Sequence, residues 1–114
     1  MELVRFSETA EYEPAGHHGV MNRLLAGIGR GGVGAVSVWH GCLEPGGGSD
    51  LHVHEGSVQI YVGLTGLLEV TNGATAVPLK AGDAVIIPAG EGHDIHNQSD
   101  EVATVLVVSA PSLK

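Results

Sequence analysis

Five lysines and arginines are all the fixed positive charge in this chain of 114 residues, against thirteen aspartates and glutamates. A formal charge of −8 leaves no basic footprint for a nucleic-acid backbone and few cations for a phosphorylated ligand. Cysteine is nearly absent. Cys42 stands alone, so no disulfide forms within the chain, which fits a reducing compartment. No apolar run approaches the ~20 residues that span a bilayer. The start, MELVRFSETA, lacks the basic and apolar stretches of a signal peptide. These absences predict a cytoplasmic protein with neither nucleic-acid nor membrane partners. Helical periodicity is missing as well.

What is abundant is glycine: 18 residues, roughly twice the usual ~7%. It follows no three-residue period and instead punctuates short apolar segments, the habit of a turn-rich β protein. The length suits one domain covering residues 1–114, able to bury a core without a disulfide or structural metal. Mean hydropathy is slightly positive, which predicts apolar surface covered by a second copy of the chain.

Ten short β-branched segments read as strands: 2–6, 19–26, 33–44, 51–54, 58–64, 67–71, 75–79, 83–87, 93–97 and 102–109. Turn signals separate them, including EPGGGSD at 44–50 and PAGEG at 88–92. LLEVTNGATAVPL reads as a hairpin about Asn72-Gly73. This spacing predicts an all-β sandwich or small barrel. GIGRGG at 27–32 fits a dinucleotide fingerprint in letters only. That fingerprint needs a helix after it, and VGAVSVW reads as a strand, so the segment is expected to be a glycine-rich loop.

Seven histidines are present. His52 and His54 are two apart in an apolar segment, and in a strand such residues share a face. Both can then reach one ion; the bland alternative is a solvated or hydrogen-bonded pair. After the turn at EGS the chain returns, and Gln59 falls on the neighbouring strand, where cross-strand side chains approach closely. His93 follows the turn AGEG and is placed to point inward. His96 is expected at the surface and His17-His18 in a solvated loop. His40 alternates with Val36, Val38 and Cys42, and Trp39 with Ala35 and Ser37. Periodicity does not choose between these faces, so His40 and Cys42 either line a cavity or point outward.

These residues carry a family resemblance: the chain resembles a cupin. The first cupin motif reads Gly46, His52, His54, Gln59 and Gly66, with glutamine in place of glutamate. The second reads Gly82, Pro88, Gly90, His93 and Asn97, without departure. The two motifs occupy residues 46–66 and 82–97. The resemblance implies a double-stranded β-helix, the jelly-roll-like cupin barrel, usually a homodimer. It also implies one divalent metal held by His52, His54 and His93, with Gln59 in the place of the fourth ligand. The glycines and Pro88 then make turns, and Asn97 fixes backbone.

Exchanging a carboxylate for an amide raises the charge of such a site from +1 to +2. The ion is held less tightly, acts as a stronger Lewis acid and favours an anionic substrate: an enolate, a diketonate or a carboxylate. Gln59 either binds through its amide oxygen or donates to substrate. It is no general base, so proton transfer falls to His40, Tyr61, metal-bound water or the substrate itself. Fe, Ni, Co, Mn, Cu and Zn all suit three imidazoles. The function so implied is a metal-dependent enzyme acting on a small enolisable, carbonyl or phenolic substrate. Its chemistry is that of a dioxygenase, or Lewis-acid lyase, isomerase or cyclase chemistry. The alternative is a non-catalytic cupin that binds or senses a small ligand.

Overall fold

The computed structural model describes residues 1–113. Their eight strands are β1 (His17–Ala26), β2 (Ser37–Ser49), β3 (Val58–Thr65), β4 (Leu67–Thr71), β5 (Ala76–Lys80), β6 (Ala84–Ile87), β7 (Asp94–His96) and β8 (Ala103–Ala110). The strands are linked in the order β5-β4-β7-β2-β8-β3-β6, with β1 also paired to β2. The result is a barrel-like, all-β sheet in which every strand pair is antiparallel.

The 13-residue β2 connects the two halves. Its first part, Ser37–Leu43, runs against β8, while Gly48 near its end pairs with His96 of β7. The stretch EPGGGSD, expected as a turn, is therefore mostly strand. A Cβ at Gly48 would run into the His96 ring, so glycine is what lets β2 cross so close to β7. Inward residues alternate along the strands and close a core that includes Leu43, Tyr61, Leu68, Leu79, Ile95 and Val105.

Two expected strands are absent. Residues 2–6 form no strand; a 3-10 turn, Phe6–Glu8, follows instead, and Phe6 packs edge-on against His40. Residues 51–54 contribute only a single bridge, His52 to His93. The glycine-rich segment 27–32 is a loop between β1 and β2, closed by bridges from Gly27 to Arg30 and Gly31. Asn97, buried, donates to the carbonyls of Leu43 and Glu101 at 3.0 and 2.7 Å and accepts from the Ser99 N–H and hydroxyl. It ties β2 to the loop before β8.

Candidate metal centre

The backbone sets two of the three imidazoles before any side chain acts. The His52 N–H donates to the His93 carbonyl at 3.0 Å, and the His93 N–H returns the bond to His52 at 2.9 Å. Gly90 N–H donates to the His54 carbonyl at 2.9 Å. That bond forms inside a turn in which Glu91 N–H reaches the Pro88 carbonyl at 3.2 Å. Gly90 sits third in this turn with φ +83°, the position that demands positive φ in a type II turn and so glycine.

The ring nitrogens of His52, His54 and His93 lie within 4.8 Å of one another. Ring centroids are 4.4 Å apart for His52 and His93, 5.0 Å for His52 and His54, and 5.4 Å for His54 and His93. The Nδ1–H of His52 donates to the Asp50 carbonyl at 2.8 Å, and that of His93 to the Glu91 carbonyl at 2.9 Å. These carbonyls assign the tautomers and leave each Nε2 as a lone pair, the arrangement of a metal-binding imidazole. His54 Nε2 is buried and has no hydrogen-bond partner. Burial first, then the neighbouring His52 and His93, holds the His54 pKa below the ordinary histidine range. Burial is also the main cause of the lowered His93 pKa, opposed by its bond to Glu91. The neutral forms are those that can take a metal.

Gln59, on β3 and 5% exposed, brings its Oε1 to 2.5 Å from His93 Nε2. With His93 Nδ1 already donating, two lone pairs face each other across that gap. A cation shared by the two atoms resolves the conflict, as does a turned amide. The orphaned His54 nitrogen, the fixed tautomers and this convergence all fit a divalent ion held by three imidazoles and one amide oxygen.

His52, His54 and Gln59 border an open cavity of about 770 Å³, with His93 buried behind them. Tyr61, two residues along β3 from Gln59, lines it with its ring 6.0 Å from that of His93. Burial, with a smaller contribution from Asp94, pushes the Tyr61 pKa far above that of a free phenol. Tyr61 therefore remains a neutral donor.

His40, a candidate for proton transfer whose face the sequence left open, takes the outward one. Along the first part of β2, Ser37, Trp39, Gly41 and Leu43 are buried, and Val38, His40 and Cys42 alternate to the opposite face. Trp39 and Leu43 line the cavity; His40 does not. Outside, His40 lies beneath Phe6 and across from Arg23. The bulky Trp39 takes the inward face, and strand parity sends His40 and Cys42 outward.

His17 is the opposite correction. It opens β1 instead of lying in a solvated loop, pairs with Ser49 and lines the cavity. Its ring is 5.9 Å from that of His52, and its Nδ1–H donates to the Ala15 carbonyl at 2.8 Å. It is a fourth imidazole beside the set. No local pattern marks it, because its position depends on a partner 32 residues away in the chain. His96 is half-buried, with Nε2 3.4 Å from Asp94 Oδ1, and faces away from His93.

A barrel of this topology, with three imidazoles converging from the loop after β2 and the start of β7, is a cupin. The cupin domain family model matches residues 39–109, and the chain belongs to that family. A beta-D-galactosidase of Mycobacterium tuberculosis is 32% identical over 110 residues, 96% of this chain and 94% of that protein. An oxalate-binding protein of Thermotoga maritima is 38% identical over 66 residues, 58% of this chain, and the match spans only 54% of that protein. Among solved structures, a predicted oxalate decarboxylase from Thermotoga maritima superposes with a TM-score of 0.85 at 30% identity, over 96% of this chain and 99% of that one. A polyketide cyclase from Streptomyces resistomycificus shares the fold, with a TM-score of 0.83 at 21% identity over 98% of this chain and 80% of that one. No helix among the described residues is long and apolar enough to cross a membrane.

Proposed function

We propose that this cupin is a metal-dependent enzyme acting on a small enolisable, carbonyl or phenolic molecule. The observation that carries the reading is the buried, partnerless His54 Nε2 among three imidazoles and Gln59 Oε1 at the edge of a cavity. His52, His54 and His93 hold one divalent ion, and Gln59 supplies a neutral fourth donor. When bound, such an ion offers Lewis acidity and, if redox-active, access to dioxygen chemistry. The residues around it do the rest. Four neutral donors leave the site dipositive, which draws an oxyanion of the substrate to its cavity side, where His52, His54 and Gln59 face the open space. Tyr61, kept a phenol, donates a hydrogen bond. His17 replaces His40 as the imidazole in reach of the cavity that is not one of the three.

A second reading, a cupin that binds a small ligand without turning it over, draws support from the Thermotoga relative named an oxalate-binding protein. Oxygen uptake and product analysis with 1,3-diketone and phenolic substrates separate the readings. Consumption of oxygen by Fe(II)-loaded protein, absent with Zn(II), identifies a dioxygenase. Turnover under nitrogen identifies Lewis-acid chemistry. Binding without turnover under either condition contradicts the enzyme reading and supports the second.

A further inference from the structure

The cavity is far larger than the metal set requires. Oxalate has six non-hydrogen atoms; even at a water's share of volume each, about 30 Å³, it fills on the order of a quarter of 770 Å³. The wall beyond the imidazoles has a definite form. Tyr61 on β3 is opposite Val107 on β8, Val107 is opposite Trp39 on β2, and Trp39 is opposite Leu24 on β1. All four line the cavity. They make one cross-strand row that starts beside His93 and crosses three strand spacings, roughly 14 Å. Trp39 and Tyr61 are buried, and the row presents two flat rings with aliphatic side chains between and beyond them.

Charge narrows the ligand further. Among the described residues no lysine or arginine lines the cavity, and the one carboxylate that does is Asp50. A negative group at the far end of the ligand, along the row and away from the imidazoles, would find no cation partner there, and its desolvation would go uncompensated. From this row and this charge pattern we infer that the ligand is a two-part molecule. It has a single oxyanion head, an enolate, diketonate or phenolate, seated on the cavity side of the metal set, at His52, His54 and Gln59. Its uncharged, flat apolar body lies along Tyr61, Val107, Trp39 and Leu24. A compact dianion of the oxalate type, which relatives carry in their names, would leave the whole row uncovered. This rests on the metal reading above and specifies its substrate class.

Isothermal titration of Zn(II)-loaded protein with three probes tests it: acetylacetone, 1-(2-naphthyl)butane-1,3-dione and oxalate. The two diketones share a head and differ in their body. Burying an aryl group along the row should make the naphthyl compound bind at least about tenfold tighter than acetylacetone, and tighter than oxalate. Trp39→Ala should remove most of the naphthyl gain and leave acetylacetone affinity unchanged. Should that variant fail to fold, Leu24→Ala on the half-buried β1 carries the same comparison with a smaller loss. Equal affinity for the two diketones, or oxalate as the tightest ligand, overturns the inference while leaving the metal site standing. Purified protein that takes up no zinc by elemental analysis rejects the metal reading and this inference with it.

Discussion

Gln59 decides the character of the site at the level of single residues. Its amide oxygen stands where the cupin motif has a carboxylate, 2.5 Å from His93 Nε2. In the first coordination shell, Gln59→Glu adds a charged ligand. Metal affinity should then rise on the order of tenfold or more, measured by chelator competition; unchanged affinity would place the side chain outside the shell. The imidazoles in and beside the site make a second prediction. His54, His93 and His17 have pKa values lowered in the fold, chiefly by burial. Above the ordinary value of ~6.5 both folded and unfolded states carry them neutral, so their contribution to stability is intact. As pH falls below that value the unfolded chain takes up protons first, and stability drains away until the lower folded pKa is passed. Metal-free protein should therefore melt at a lower temperature at pH 5.5 than at pH 7.5, by differential scanning calorimetry; a higher melting temperature at pH 5.5 would contradict this.

At the scale of elements, the site depends on glycines that fix how the strands are joined. Gly66, between β3 and β4, has φ +75°, and a Cβ there would lie 2.8 Å from the Ala103 Cβ and 3.0 Å from the Val102 carbonyl oxygen. Gly66→Ala combines a left-handed backbone penalty with that overlap and should lower stability by about 2 kcal/mol or more. Urea denaturation measures it, and a loss under ~0.5 kcal/mol would show that the turn relaxes freely. Such positions were legible in the sequence. The turn glycines, His52, His54 and His93 follow from fixed spacings, because a tight turn and a short loop leave little freedom between them. What was not legible depends on parity and distant pairing. β2 is apolar on both faces, with Trp39 and Leu43 inside and Val38 and Cys42 outside, so alternation could not place His40. His17 owes its place to pairing with Ser49, and 51–54 was mistaken for a strand because its apolar alternation serves a loop held by one bridge.

At the scale of the whole molecule, the apolar outer side of β2 continues into neighbouring strands. Val38, Val108, Ile60 and Ile86 are paired across β2, β8, β3 and β6 on the outward face, and Ile86 is 66% exposed. An aliphatic row of this kind on a sheet's outer face suits burial against a second copy, and the expected homodimer is proposed to form there. Ile86→Glu should shift the protein to monomer in sedimentation velocity at micromolar concentration. Wild-type protein that sediments as a monomer under those conditions would contradict the dimer itself.

The proposed centre gathers His52, His54, His93 and Gln59 about one divalent ion. Anomalous diffraction at the metal edge, from crystals of protein loaded with a single transition metal, tests it most directly. One peak per chain is expected, about 2.0–2.2 Å from Nε2 of each of the three histidines, with Gln59 Oε1 facing it. A peak elsewhere on the chain, or the three imidazoles left without a peak after loading, would contradict it.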